Sequence, residues 1–134
     1  MSGITSRQSQ TGARAILSGV VSNGSTWVED VAMTEDGTVI ASADTWDWTM
    51  TFRTDRTSDS ADLTLTTDAG TLNVTQGADA STLEIRVAKA SLSAMEGDYI
   101  CDLKSLDTTD TTADSAGRSI HWGHGVVTFL NEPI

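Results

Sequence analysis

Two histidines lie close together in the segment His121-Trp122-Gly123-His124 and are potential ligands for a transition metal. In a regular strand, side chains at these two positions point to opposite faces, so both rings would not reach one ion. A bulge at Gly123 would bring them together, but a first-row metal would still need further ligands. We therefore expect two histidines on a half-exposed strand and predict no metal site here.

An acidic, hydroxyl-rich segment extends from Asp107 to Gly117 and includes Asp110 and Asp114. Calcium prefers several hard oxygen ligands, which often come from closely spaced carboxylates. The spacing differs from that of an EF-hand loop, and the glycine at the centre of such a loop is missing. Asp107, Asp110 and Asp114 are the calcium candidates; the alternative is a solvated loop that keeps the protein soluble.

The sequence contains no G-x-S-x-G, H-E-x-x-H or glycine-rich phosphate-binding motif. The single cysteine, Cys101, alternates with Tyr99 and Leu103, so its thiol is predicted to be buried and structural rather than nucleophilic. Isolated carboxylates in a threonine-rich β protein are usually surface residues. We predict that the protein is not an enzyme, with no catalytic residues and no cofactor.

Four tryptophans are the remaining candidates for function. Trp46 and Trp48 share one face of an alternating segment and are predicted to pack in a core. Trp27 and Trp122 are predicted to be less buried. Exposed tryptophan is typical of carbohydrate-binding platforms and of protein interfaces, whereas the alternative is that all four belong to the core.

Composition limits the partners of this chain. Its 134 residues include 8 Lys and Arg against 19 Asp and Glu, giving a net charge of −11 and an isoelectric point near 4.2. So few cations argue against nucleic-acid binding. One cysteine excludes an internal disulfide. Neither an apolar run of membrane-spanning length nor a signal peptide is visible, so we expect no membrane contact and synthesis in a cytoplasm.

The elements that would position these residues are strands. Thr and Ser account for 36 of the 134 residues and there is one proline, which favours strands joined by turns. Residues 1–13 lack periodicity and are predicted to be an extended arm before a single domain over 14–134. About eight strands are predicted, with a short helical crossover in Ala88–Glu96 and a bulge at Gly123 or Gly125. The predicted strands cover Ala15–Val21, Thr26–Met33, Thr38–Ala41, Trp46–Arg53, Leu63–Thr66, Leu72–Val74, Leu83–Val87, Tyr99–Lys104 and Ser119–Leu130.

One long stretch carries a resemblance. From Trp46 to Leu130, about 85 of 134 residues, the order is W-D-W-T-M-T-F-R, A-D-L-T-L-T-T, T-L-N-V, T-L-E-I-R-V, K-A-S-L-S-A-M-E-G, G-D-Y-I-C-D-L and a closing G-V-V-T-F-L. This order resembles the small immunoglobulin-like modules of tailed-bacteriophage virion proteins, including the N-terminal domain of upper baseplate proteins. The matching positions are Phe52, Arg53, Ser91, Met95, Gly97, Tyr99, Asp102, Leu103, Gly125, Val127 and Phe129.

Three features depart from the pattern of that family. Cys101 replaces the usual second aromatic residue, the loop over Asp107–Gly117 is long, and His121–Gly125 replaces an apolar segment. These departures affect partner contacts more than the fold.

The resemblance implies an all-β, immunoglobulin-like sandwich of about 7–9 antiparallel strands. It also implies a non-enzymatic structural protein of a tailed-phage virion, made in the host bacterial cytoplasm. Such a protein would form a homo-oligomer and bind other virion proteins of the same phage, while baseplate, tail, neck and capsid decoration all stay open. The predicted interface residues are Ser2, Ile4, Arg7, Arg14, Trp27, Trp122, Pro133 and Ile134. The alternative is a carbohydrate-binding or host-recognition module that contacts a host glycan.

Overall fold

The computed structural model describes residues 3–8, 15–35, 37–55, 57 and 60–131. Within these residues the chain forms two sheets and almost no helix, which confirms the predicted all-β sandwich. The strands are β1 Gly3–Gln8, β2 Ala15–Ser22, β3 Trp27–Glu35, β4 Thr38–Val39, β5 Asp47–Arg53, β6 Leu63–Thr66, β7 Leu72–Gln76, β8 Ser81–Val87, β9 Gly97–Asp107 and β10 Arg118–Leu130.

The six-stranded sheet has the order β1-β2-β10-β9-β5-β6, and the four-stranded sheet has the order β4-β3-β8-β7. The chain crosses from β8 to β9 through α1, Lys89–Leu92, at the predicted crossover. No helix in the described residues is long and apolar enough to span a membrane.

Among the described strands every pair is antiparallel except one, which the prediction of about 7–9 antiparallel strands did not anticipate. β2 and β10 run parallel, in register from Ala15 opposite Gly123 to Ser22 opposite Leu130. Their backbones approach closely at Gly125, where an added Cβ atom would overlap the carbonyl oxygen of Leu17. Glycine is therefore required at this contact.

Alternation places the apolar residues between the sheets. In β8, Ser81, Leu83, Ile85 and Val87 are buried while the residues between them are partly exposed. The sandwich encloses an aromatic group near each end of β5. We call Trp27, Phe52, Tyr99 and Phe129 the edge-to-face cluster, with ring centroids 5.4–6.1 Å apart and planes at 64–88°. We call Trp46, Trp48 and Trp122 the stacked cluster, with centroids 5.7–6.3 Å apart and planes at 23–31°.

The predicted arm over residues 1–13 is partly a strand of the sandwich. β1 pairs with β2 from Gly3 opposite Val20 to Gln8 opposite Ala15 and forms the edge of the six-stranded sheet. The backbone N–H of Ile4 donates to Glu29 Oε2 at 2.7 Å, and Trp27 Nε1 donates to Glu29 Oε1 at 2.9 Å. One carboxylate therefore joins β1 to β3 of the other sheet.

Candidate binding surfaces

The histidine pair lies on the outer face of the six-stranded sheet. The register of β10 against β9 shifts between His121 and Gly123, which confirms the predicted bulge. The shift turns both imidazoles to one face, with ring centroids 5.9 Å apart. His121 Nε2 lies 3.0 Å from Asp102 Oδ1. Even so, no group of three or more His, Cys, Asp or Glu side chains in the described part of the chain could hold a metal ion.

The calcium candidates form the turns of their own loop. Asp107 Oδ1 accepts hydrogen bonds from the backbone N–H and hydroxyl of Thr109, at 3.0 and 2.6 Å. Asp110 Oδ1 does the same with Thr112, at 3.3 and 2.7 Å, and Asp114 Oδ1 accepts from the N–H of Ala116 at 2.9 Å. The Thr112 hydroxyl and, after it, the Thr112 N–H lower the pKa of Asp110. These aspartates therefore have a local structural use.

Cys101 is fully buried on β9, as predicted. Burial, and to a smaller extent the negative charge of Asp102, raises the pKa of its thiol far above the ordinary value. A thiolate forms with difficulty there, so the nucleophilic form of cysteine is suppressed.

The prediction that Trp27 and Trp122 are the less buried tryptophans is wrong. Trp27 is 1% exposed and Trp122 is 7% exposed, and both belong to the core. Their ring N–H groups have internal acceptors, Glu29 for Trp27 and the Ser105 hydroxyl, at 2.7 Å, for Trp122. Trp46, predicted to be core, is the tryptophan that stays partly exposed.

The other predicted interface residues divide into two groups. Ile4 lies in β1 with its side chain buried, and Arg7 lies in the same edge strand. Ser2, Arg14, Pro133 and Ile134 lie outside the described residues. An exposed apolar strip that was not predicted follows β2 and β10 on the outer face of the six-stranded sheet. It consists of Val20, Val126 and Leu130, which are 39–53% exposed.

A cleft of about 370 Å³ opens at the end of the sandwich that holds the stacked cluster. One wall is the 3₁₀ turn Ala43–Thr45 with Trp46, and the other is the turn that contains Thr67 and Asp68. Trp48 fixes both walls. Its Nε1 donates to the carbonyl of Ala43 at 2.8 Å, and its backbone N–H and C=O bond to the hydroxyl and N–H of Thr67, each at 3.1 Å.

The sequence holds a weak signal for this cleft. Trp46 stands between Asp44 and Asp47, which places polar residues beside an aromatic ring where a strand begins. Its alternation with Trp48 predicted burial, but Trp46 lies just before β5, and alternation does not show that this position is at the open end of the sandwich. No model of a known protein family matches this chain, and no curated protein sequence matches it.

Proposed function

We propose that this chain is a non-enzymatic structural protein of a tailed-phage virion, built on an immunoglobulin-like sandwich and assembled in many copies. The observation that carries the proposal is the strand order. β10-β9-β5-β6 corresponds to the G-F-C-C′ order of a variable-type immunoglobulin sheet, and β3-β8-β7 corresponds to B-E-D. This correspondence supports the resemblance on which the proposal depends.

Local features at equivalent positions add support. Tyr99 lies near the start of β9, two residues before Cys101, and its hydroxyl accepts a hydrogen bond from the backbone N–H of Glu96 at 3.4 Å. This matches the tyrosine corner of immunoglobulin sandwiches, which precedes the second cysteine by the same spacing. Trp48 is fully buried on β5, the strand where those domains carry their core tryptophan.

The apolar strip Val20, Val126 and Leu130 supplies a surface for assembly. When a partner covers apolar side chains grouped on one sheet face, their removal from water lowers the free energy and stabilises the complex. The net charge of −11 keeps free copies apart until such a contact forms. Both properties suit a subunit that must stay soluble before it is incorporated.

The test begins with particles produced by the bacterium that carries the gene. The chain is expected to co-purify with tailed particles and to be labelled there in a regular pattern by immunogold electron microscopy. Recovery of the chain only from the particle-free fraction would contradict the virion role.

Two matched variants test the assembly surface. Val126→Asp places a charge in the apolar strip, whereas Val28→Asp places the same charge on the outer face of β3, where Val28 is 61% exposed. Val126→Asp is expected to abolish incorporation, and Val28→Asp is expected to leave it unchanged. Equal incorporation of both variants would remove the strip from the proposal without affecting the immunogold result.

A further inference from the structure

The cleft beside Trp46 combines an aromatic ring with polar groups that have no internal use. Trp46 is partly exposed, and Asp44, Asp47 and Asp68 line the same cleft. Within the described residues, these three carboxylates and the ring N–H of Trp46 make no hydrogen bond or ion pair. They contrast with Asp107 and the other loop aspartates, whose carboxylates are bonded to their own turns.

The ring is held rigidly. Trp46 stacks on Trp48, with centroids 6.1 Å apart, and on Trp122, with centroids 6.3 Å apart. Both supporting rings are buried, and their N–H groups are bonded to Ala43 and Ser105. The position of the partly exposed ring is therefore fixed before a ligand binds, which lowers the entropy cost of association.

The walls of the cleft are fixed as well. Trp48 bonds to both turns, and Ser42 precedes the 3₁₀ turn with a φ of 64°, in the left-handed region that non-glycine residues rarely adopt. Such a conformation persists only where the surrounding structure enforces it.

We propose that this cleft binds an uncharged oligosaccharide. The face of a sugar ring carries C–H groups that pack on an indole, and its hydroxyls donate hydrogen bonds to carboxylates. Three carboxylates repel phosphate, sulfate and uronic acid groups, so they favour a neutral sugar. The site is independent of the assembly role, because the apolar strip lies on the outer face of the six-stranded sheet.

The first experiment is a glycan array probed with the full chain, carrying uncharged oligosaccharides of hexoses, N-acetylhexosamines and deoxyhexoses beside sialylated, sulfated and uronic acid forms. Binding is expected among the uncharged glycans only. The best binder is then titrated into the ¹⁵N-labelled chain. A saturable shift of the Trp46 ring N–H signal is expected, with the Trp27 ring N–H signal unmoved.

Variants separate the cleft from the rest of the surface. Trp46→Ala is expected to weaken binding at least tenfold, and Trp46→Phe, which keeps an aromatic face, to weaken it less. Should Trp46→Ala fail to fold, the triple variant Asp44→Asn, Asp47→Asn, Asp68→Asn takes its place and is also expected to weaken binding. The matched control, Asp107→Asn, Asp110→Asn, Asp114→Asn, removes the same charge elsewhere and is expected to bind normally.

Three results would overturn the proposal. The first is the absence of binding to every uncharged glycan, and the second is binding that neither cleft variant reduces. The third is a saturable response of the Asp44, Asp47 and Asp68 signals to calcium chloride alone without any response to sugar, because it would assign the cleft to a cation.

Discussion

The two aromatic clusters of the sandwich consist of the same kinds of side chain but differ in ring geometry and in exposure. The rings of the edge-to-face cluster meet at steep angles, and all four are at most 7% exposed. The rings of the stacked cluster lie nearly parallel, and one of them, Trp46, reaches the surface. The first arrangement closes its end of the core, whereas the second presents an aromatic surface to solvent.

The hydrogen bonds of the indole groups separate Trp46 from the other three tryptophans. Trp27 in the edge-to-face cluster donates to Glu29, and Trp48 and Trp122 in the stacked cluster donate to Ala43 and Ser105. Trp46 has no such acceptor in the described residues. A buried tryptophan needs an internal acceptor, so the ring without one is the ring available to a ligand.

The largest effect is expected from opening the edge-to-face cluster. Phe129→Ala removes a ring that contacts Trp27, Phe52 and Tyr99, and it should lower the free energy of unfolding by about 3–5 kcal/mol. Urea unfolding followed by fluorescence measures this loss. Phe129→Leu should cost less because it leaves a smaller cavity. A loss well below 1 kcal/mol for Phe129→Ala would show that this end of the core is not closed.

A smaller effect is expected at the carboxylate that Trp27 shares with β1. Glu29→Ala removes the acceptor of both Trp27 Nε1 and the Ile4 N–H, and should lower the free energy of unfolding by about 1–2 kcal/mol. Hydrogen exchange should show faster exchange of the Ile4 amide. Glu84→Ala, which removes a carboxylate bonded to exposed Asn73 and Thr75, is the control and should leave that amide unchanged.

Trp46→Ala tests the stacked cluster. It should lower the free energy of unfolding by only about 1 kcal/mol, since it removes stacking contacts at the surface rather than a buried ring. The measurement is the same urea titration as for Phe129→Ala. A loss as large as that of Phe129→Ala would mean that Trp46 belongs to the core, and the distinction between the clusters would fail.

The smallest effect is expected in the acidic loop, whose carboxylates are hydrogen-bonded to their own turns, unlike those of the cleft. Thr112→Val removes the hydroxyl that contributes most to the lowered pKa of Asp110. Because the folded pKa is lowered, the stabilisation is present above the ordinary pKa and is lost as the pH falls through the lowered one. The variant should raise the pKa of Asp110 toward its ordinary value in an NMR titration.

Much of the fold follows from local patterns. The strict alternation in β5 and β8 predicted both strands, because one face of each is buried. The glycines after Trp122 predicted the bulge, because a strand interior tolerates glycine poorly without a reason. The burial of Cys101 followed from the apolar neighbours with which it alternates.

Long-range pairing explains what the sequence did not reveal. β1 has no alternation and is held by the next strand, β2, and by Glu29, which lies 25 residues after Ile4 in the chain. The burial of Trp27 depends on the edge-to-face cluster, which brings together four separate strands. The partial exposure of Trp46 depends on where the two turns that line the cleft end. The alternation of apolar residues in the sequence does not show this.

The parallel pairing of β2 with β10 also determines how the fold carries a mechanical load. Tension applied at Gly3 and Leu130 first peels β1 from β2, one residue pair after another, starting where Gly3 faces Val20. The load then reaches Ala15, which lies at the opposite end of the β2–β10 pair from Leu130. From that point the force shears all eight residue pairs together, so the sandwich yields easily at its edge and resists extension at its centre.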